Sequence, residues 1–223
     1  MKKLIFLSTF LFLSVLGFNR PLHAKSFLSD MDFVAEFSPS VYINPESTTV
    51  SAPSPVIYPI SLGFCWPESN FIAIQPTLSF FMMYHLWYDG MALPAEIENR
   101  TSQTVSFLLN LPAVFNIFQN EKSRFQILAG AAVLMRFGIL ANGVKESDTG
   151  FTGTAGGDMD QINSWFWQNA RFFYFSCGGS WLYTFTSHLK AGPTINAYIP
   201  LGSLISGEGV QAMILSVGLK VCI

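Results

Sequence analysis

At 223 residues the chain suits one domain, or one barrel with its loops, and leaves little room for two. Half of its residues are hydrophobic and only 12% are charged, against the roughly 25% that soluble domains carry. One water-soluble core has no use for that surplus, and a bilayer does. The formal charge of −2 comes with no basic stripe and no basic–aromatic interleaving, so nucleic acid is excluded as a partner.

The N-terminus comes first in chain order. Lys2 and Lys3 precede an apolar run from Leu4 to Phe18, a break at Asn19-Arg20-Pro21, and Ala24 at a cleavage point. That order is the layout of a secretory signal peptide. Residues 1–24 are therefore expected to be removed and 25–223 to form the mature protein. An uncleaved N-terminal anchor is the alternative, because Leu22 is larger than the residue usually found there. No cysteine lies near the cleavage region to be lipid-modified. Cleavage removes Lys2, Lys3 and Arg20, leaving nine basic residues against 14 acidic and a formal charge of −5.

The mature chain has no uninterrupted apolar run of 18 residues; Phe125 to Ala141 is interrupted by Gln126 and Arg136. Helical membrane spans describe it poorly. Alternation describes it well. From Met31 to Ile43, Phe33, Ala35, Phe37, Val41 and Ile43 share one face, and Asp32, Glu36, Ser38 and Ser40 the other. Val56 to Trp66 sets Tyr58, Ile60, Leu62 and Phe64 against Ser61 and Gly63. Phe71 to Trp87 sets Ile72, Ile74, Leu78, Phe80, Met82, Tyr84 and Leu86 against Gln75, Thr77, Ser79 and His85. Thr104 to Phe118 and Arg124 to Leu140 continue the scheme, with Asn110, Gly130 and Arg136 on polar faces. Arg171 to Phe185, Leu189 to Leu201 and Val210 to Ile223 complete eight strands.

Charge is an independent check on these faces. Of five charges well inside strands, Glu36, Arg136, Lys190 and Lys220 fall on the polar face. Arg171 alone falls on the apolar one, at a strand start from which it can reach headgroups. Lipid on one face and a polar lumen on the other produces that distribution. A soluble sandwich would shield its apolar face with a second sheet. The connections alternate as well. Pro67 to Asn70, Gln119 to Ser123 and Thr186 to His188 are short, whereas Asn44 to Pro55, Tyr88 to Ser102 and Ala141 to Ser164 are long; Gly202 to Gly209 departs from the trend. With the N-terminus in the periplasm, the short turns lie on the periplasmic side. Trp66, Phe71, Phe125 and Tyr183 would form one aromatic girdle, and Tyr58, Tyr84, Trp87 and Trp165 the other. The expected fold is all-β: an eight-stranded antiparallel transmembrane β-barrel of the outer-membrane type with longer extracellular loops. Closure is required, because an open edge in hydrocarbon leaves backbone groups unpaired.

The candidate site residues are those of the lumen. Glu36, Arg124, Arg136, Lys190 and Lys220 are expected to form a polar network, with Glu36 facing Lys220 near the periplasmic end. Gln75, His85, Asn110 and Gly130 line the wall, and Gly130, Ala132 and Gly138 leave gaps in it. His188 sits in a turn. Cys65, Cys177 and Cys222 allow one disulfide with one thiol left over; the simpler reading is three buried or lipid-facing residues. No Cys-x-x-Cys, zinc spacing or Ser/His/acid spacing stands out, and no cofactor or metal is expected. The glycine-rich Gly150–Gly157 lacks the Gly-Lys-Ser/Thr ending of a phosphate loop. Asp148, Asp158 and Asp160 are read as solvated loop acids. Asp158 to Asn169 carries Met159, Ile162, Trp165 and Phe166 at helical spacing, enough for one or two turns at the rim or for the start of a strand.

With its alternating final strand, short periplasmic turns and lumen charges, the mature chain resembles the small outer-membrane barrel families of the OmpW and OmpA/OmpX type. It ends in Ile223, where such barrels commonly end in an aromatic residue. The stretch from Phe166 through Trp181 to Pro200 looks OmpW-like, and that resemblance implies a narrow apolar interior passing small hydrophobic molecules. The first functional expectation is thus a narrow channel for small hydrophobic solutes, embedded in outer-membrane lipid. The alternatives are a structural or adhesive barrel acting through loops whose extracellular ligand is unknown, and a lipid-modifying enzyme.

Overall fold

The computed structural model describes residues 30–44, 55–67, 70–95, 100–207 and 209–223. The expected signal segment and cleavage site lie outside them. In chain order the elements are β1 (Asp32–Phe37), β2 (Ser40–Tyr42), β3 (Val56–Ile57), β4 (Ile60–Cys65), β5 (Ile72–Ile74), β6 (Thr77–Tyr88), β7 (Met91–Pro94), β8 (Ser102–Gln119), β9 (Ser123–Leu140), β10 (Thr149–Gly150), β11 (Gly153–Thr154), α1 (Ala155–Trp167), β12 (Phe173–Thr186), β13 (Leu189–Pro200), α2 (Leu201–Ser206) and β14 (Ile214–Cys222).

These strands make eight staves. The first three are broken at Pro39, Pro59 and Pro76, so that β1 and β2, β3 and β4, and β5 and β6 are each one stave in two pieces. Proline has no N–H to give to a ladder, so pairing lapses there and resumes beyond. Neighbours around the ring are β1, β4, β6, β8, β9, β12, β13 and β14, and β14 pairs back onto β1 and β2. All of these pairings are antiparallel. The closing seam aligns Val34 with Cys222 and Glu36 with Lys220. It is fastened by reciprocal backbone bonds between Phe33 and Ile223 of 2.8 and 2.9 Å.

Side-chain alternation gives the ring two unlike faces. Phe33, Phe37, Ile60, Leu62, Leu78, Phe80, Ile127, Trp181, Ile195, Val217 and Leu219 stand on the outside, 41–64% exposed. The alternate positions point in, and the buried set is rich in polar residues: Glu36, Gln75, Thr104, Ser106, Asn110, Asn116, Gln126, Arg136, Ser180, Asn196 and Lys220. Water-soluble proteins have the opposite arrangement, so the solvent outside is lipid. β8 and β9 are 18 residues each, well beyond the 9–11 or so that a tilted strand needs to cross a bilayer.

Both chain ends of the ring and the β8–β9 and β12–β13 turns lie at one end; α1, α2 and the β10–β11 hairpin lie at the other, outer end. Here the structure departs from several expectations. Leu86 faces β7, which pairs with β6 beyond the ring and packs Leu93 and Ala95 on it, so Leu86 is buried rather than lipid-facing. The rim segment is a 13-residue helix, α1, rather than one or two turns. Trp165 is therefore inside, not in a girdle. Arg171 does not reach for headgroups: its Nη1 donates to the Trp165 carbonyl at 2.8 Å and its guanidinium lies 4.1 Å from the Trp165 ring centre. The last strand begins at Ile214 rather than Val210, and α2 occupies part of the final outer loop. All three cysteines are free thiols.

Candidate functional site

The lumen holds two polar clusters separated by an apolar plug. At the periplasmic end, Lys220 donates to the side-chain carbonyl oxygens of Gln75 and, at 2.9 Å, of Gln126. The Gln75 amide nitrogen donates to Glu36 at 3.2 Å. Glu36 and Lys220 are direct register partners, and one amide bridges them. Gln126 extends the chain to Asn116 at 2.9 Å and accepts from Ser180 at 3.1 Å. Lys190 does not join this cluster. It pairs with Asp32 at 2.7 Å nearer the rim, and Arg124 feels the same carboxylate. His188 lies in the exposed β12–β13 turn.

Above this cluster the lumen is filled. Tyr42, Ile57, Phe81, Met83, Leu108, Leu134, Tyr174, Tyr198 and Ile214 form one buried apolar group. Beside it is an internal cavity of only about 10 Å³, lined in part by Glu36, Ser61, Ser79, Phe81, Tyr198 and Ser216, room for about one water molecule. Asn110, expected to line the lumen, is buried at the Thr77 level of this plug.

Gly130 does not open a gap. A Cβ built on it would strike the Leu111 carbonyl and lie 2.5 Å from Pro112 Cα, so glycine is there to let β8 and β9 approach closely. The space at Gly138 is taken by α1. Asn163 accepts from the Gly138 N–H at 2.6 Å and donates to its carbonyl at 3.2 Å, with Ile162 alongside.

The outer cluster centres on Arg136. Its guanidinium carbon lies 5.0 Å from the Tyr42 ring centre and 4.7 Å from that of Phe166, and Nη2 donates to Tyr174 Oη at 3.2 Å. Aromatic faces offset part of a buried cation's lost hydration. His85 is fully buried beside it, 3.2 Å through Nδ1 from Thr104 Oγ1 and edge-on to Phe166 at 5.1 Å. Phe166 belongs to α1. The helix begins at Thr154, whose hydroxyl caps the Gly157 N–H at 3.1 Å. Asp158 is not a solvated loop acid: it is buried and accepts from the Phe151 N–H and from the Thr152 N–H and hydroxyl at 2.6–2.7 Å, tying the β10–β11 hairpin to the helix. Ile162, Trp165 and Phe166 then form the buried face.

Sequence reasoning found the spacing of that face and missed what it covers, because nothing local says that a rim helix folds back over the lumen. It also missed Tyr42 and Tyr174, whose roles arise only across strands.

With the apolar belt, the polar interior and the closed ring in view, the architecture is decided. The chain is a small eight-stranded β-barrel of the outer-membrane type. No family model matches the sequence, and no curated protein does. Among solved structures it is similar to the N-terminal β-barrel domain of Pseudomonas aeruginosa OprF, with 11% identity, a TM-score of 0.41, and coverage of 86% of this chain and 96% of that one. It is also similar to Ail, the attachment invasion locus protein of Yersinia pestis, with 8% identity, a TM-score of 0.44, and coverage of 86% and 95%.

Proposed function

We propose that this barrel is closed and works at its outer face, as a structural or adhesive surface protein, rather than as a standing channel. The observation that carries the reading is the filled lumen: an apolar plug at mid-height and α1 seated on Arg136 in the outer mouth. An eight-stranded ring has room for little more than its own side chains. The outer face is meanwhile well built. Asp158 fixes the hairpin, Asn163 and Arg171 fix the helix, and Phe151 and Trp167 remain exposed on it.

The narrow channel for small hydrophobic solutes is the second reading. What favours it is that the mouth is closed by a separate segment, α1, which a conformational change can lift. Uptake of a small apolar dye into proteoliposomes tests the two. A closed barrel gives the rate of protein-free liposomes, and faster uptake by the wild-type protein overturns the proposal.

A further inference from the structure

The outer lumen holds a buried cation. Arg136 is buried, and among the described residues no carboxylate pairs with it. The two lumen lysines are provided for: Lys190 has Asp32, and Lys220 has two amide oxygens with Glu36 linked through Gln75. A buried charge left without a counter-charge is costly. Nor is the guanidinium fully bonded. Arg136 Nε, Ser106 Oγ, Ser102 Oγ and His85 Nε2 are all buried and have no hydrogen-bond partner among the described residues. Ser106 is the cross-strand partner of Arg136, and Ser102 that of His85 one level further out, and Phe166 packs against both Arg136 and His85. The Thr104 hydroxyl donates to the Met83 carbonyl at 3.4 Å and lies 3.2 Å from His85 Nδ1, so Nδ1 carries the ring proton and Nε2 is left as an acceptor. The donors left without an acceptor beside the cation are its own Nε and the Ser106 hydroxyl.

Phe166, from α1, covers the guanidinium and supplies a ring but no charge. We propose that this patch is a binding site for a small organic carboxylate carrying a ring-sized apolar body, with Phe166 as its resident plug. The ligand's ring takes the place of Phe166 against Arg136 and the edge of His85. Its carboxylate accepts from Arg136 Nε and the Ser106 hydroxyl, which the phenyl group leaves unused. Ligand and plug compete for one place, so wild-type affinity is lowered by the fraction of time the plug is in.

Equilibrium dialysis of the detergent-solubilised barrel tests this with benzoate, benzyl alcohol and acetate. Benzoate should bind saturably, and more tightly than either the uncharged ring or the ringless anion by about tenfold or more, as charge-assisted bonds in a dry site require. Phe166→Ala should tighten benzoate by about tenfold and keep its preference, since the competing plug is gone. Arg136→Gln should abolish the preference for benzoate over benzyl alcohol. Should that variant not fold to a heat-modifiable barrel, Ser106→Ala decides, because it leaves the cation in place and should lower the preference several-fold. Equal binding of benzoate and benzyl alcohol to Phe166→Ala, equal binding of acetate and benzoate, or an unchanged preference in Ser106→Ala overturns the site.

Discussion

Replacing Lys220 isolates what the periplasmic cluster contributes. Lys220 is 1% exposed and Glu36 8%, and the two are coupled through the Gln75 amide and across the closing seam. Lys220→Met keeps most of the volume but removes the ammonium group. Glu36 then remains as a buried carboxylate with one amide donor and no cation, a loss of about 3–5 kcal/mol for breaking a buried pair on one side. In Glu36→Gln combined with Lys220→Met no buried charge is left at the seam. The remaining cost is two or three ordinary hydrogen bonds, about 1–2 kcal/mol in all. The double variant should therefore be more stable than Lys220→Met alone, with a coupling energy on the order of 2 kcal/mol. Urea unfolding in phospholipid vesicles, followed by tryptophan fluorescence and by the shifted gel mobility of the folded barrel, measures all four corners of the cycle. Additivity within about 0.5 kcal/mol would refute the coupling.

The glycines of β9 should behave unlike one another. Gly130→Ala drives a Cβ into the β8 backbone at Leu111 and Pro112 and should cost about 1–3 kcal/mol in the same unfolding assay. Gly138→Ala meets only side chains of α1, Asn163 at 3.2 Å and Ile162 at 3.4 Å, and should leave barrel stability within about 0.5 kcal/mol while loosening α1. Asn163→Ala removes both bonds to Gly138 and should raise amide exchange across α1 by about tenfold, a loss on the order of 1 kcal/mol, without changing exchange in β8; unchanged protection in α1 would count against the helix being held there. Asp158→Ala leaves the Phe151 and Thr152 donors without their acceptor and should make the β10–β11 hairpin the first site of proteolysis on whole cells. N-terminal sequencing of the outer-membrane form should begin at Lys25; retention of Met1 would favour the uncleaved anchor.

What the sequence determined by itself was the ring. Alternation fixes which side of each strand is apolar, and a one-residue slip would turn the whole set over, so a period of two carries strong information. The inward placement of Glu36, Arg136, Lys190 and Lys220 follows from that parity, as does the burial of Gln75, His85 and Asn110. Parity fixes the face of a side chain and says nothing of its depth or partner. Parity puts Lys190 and Lys220 alike on the inside, yet in space Lys190 pairs with Asp32. In sequence Gly130 looks like a gap in the wall, since a missing side chain suggests free space; only the register with Pro112 shows the space filled by a neighbouring strand. The rim segment announced Ile162, Trp165 and Phe166 as one helical face, and only the tertiary structure decided that this face turns inward. That choice depends on bonds between residues far apart in the chain, Asn163 to Gly138 and Phe166 to Arg136, and local propensity carries no record of them. It is also the choice that bears on function, because whether an eight-stranded ring is a passage or a post depends on what fills it.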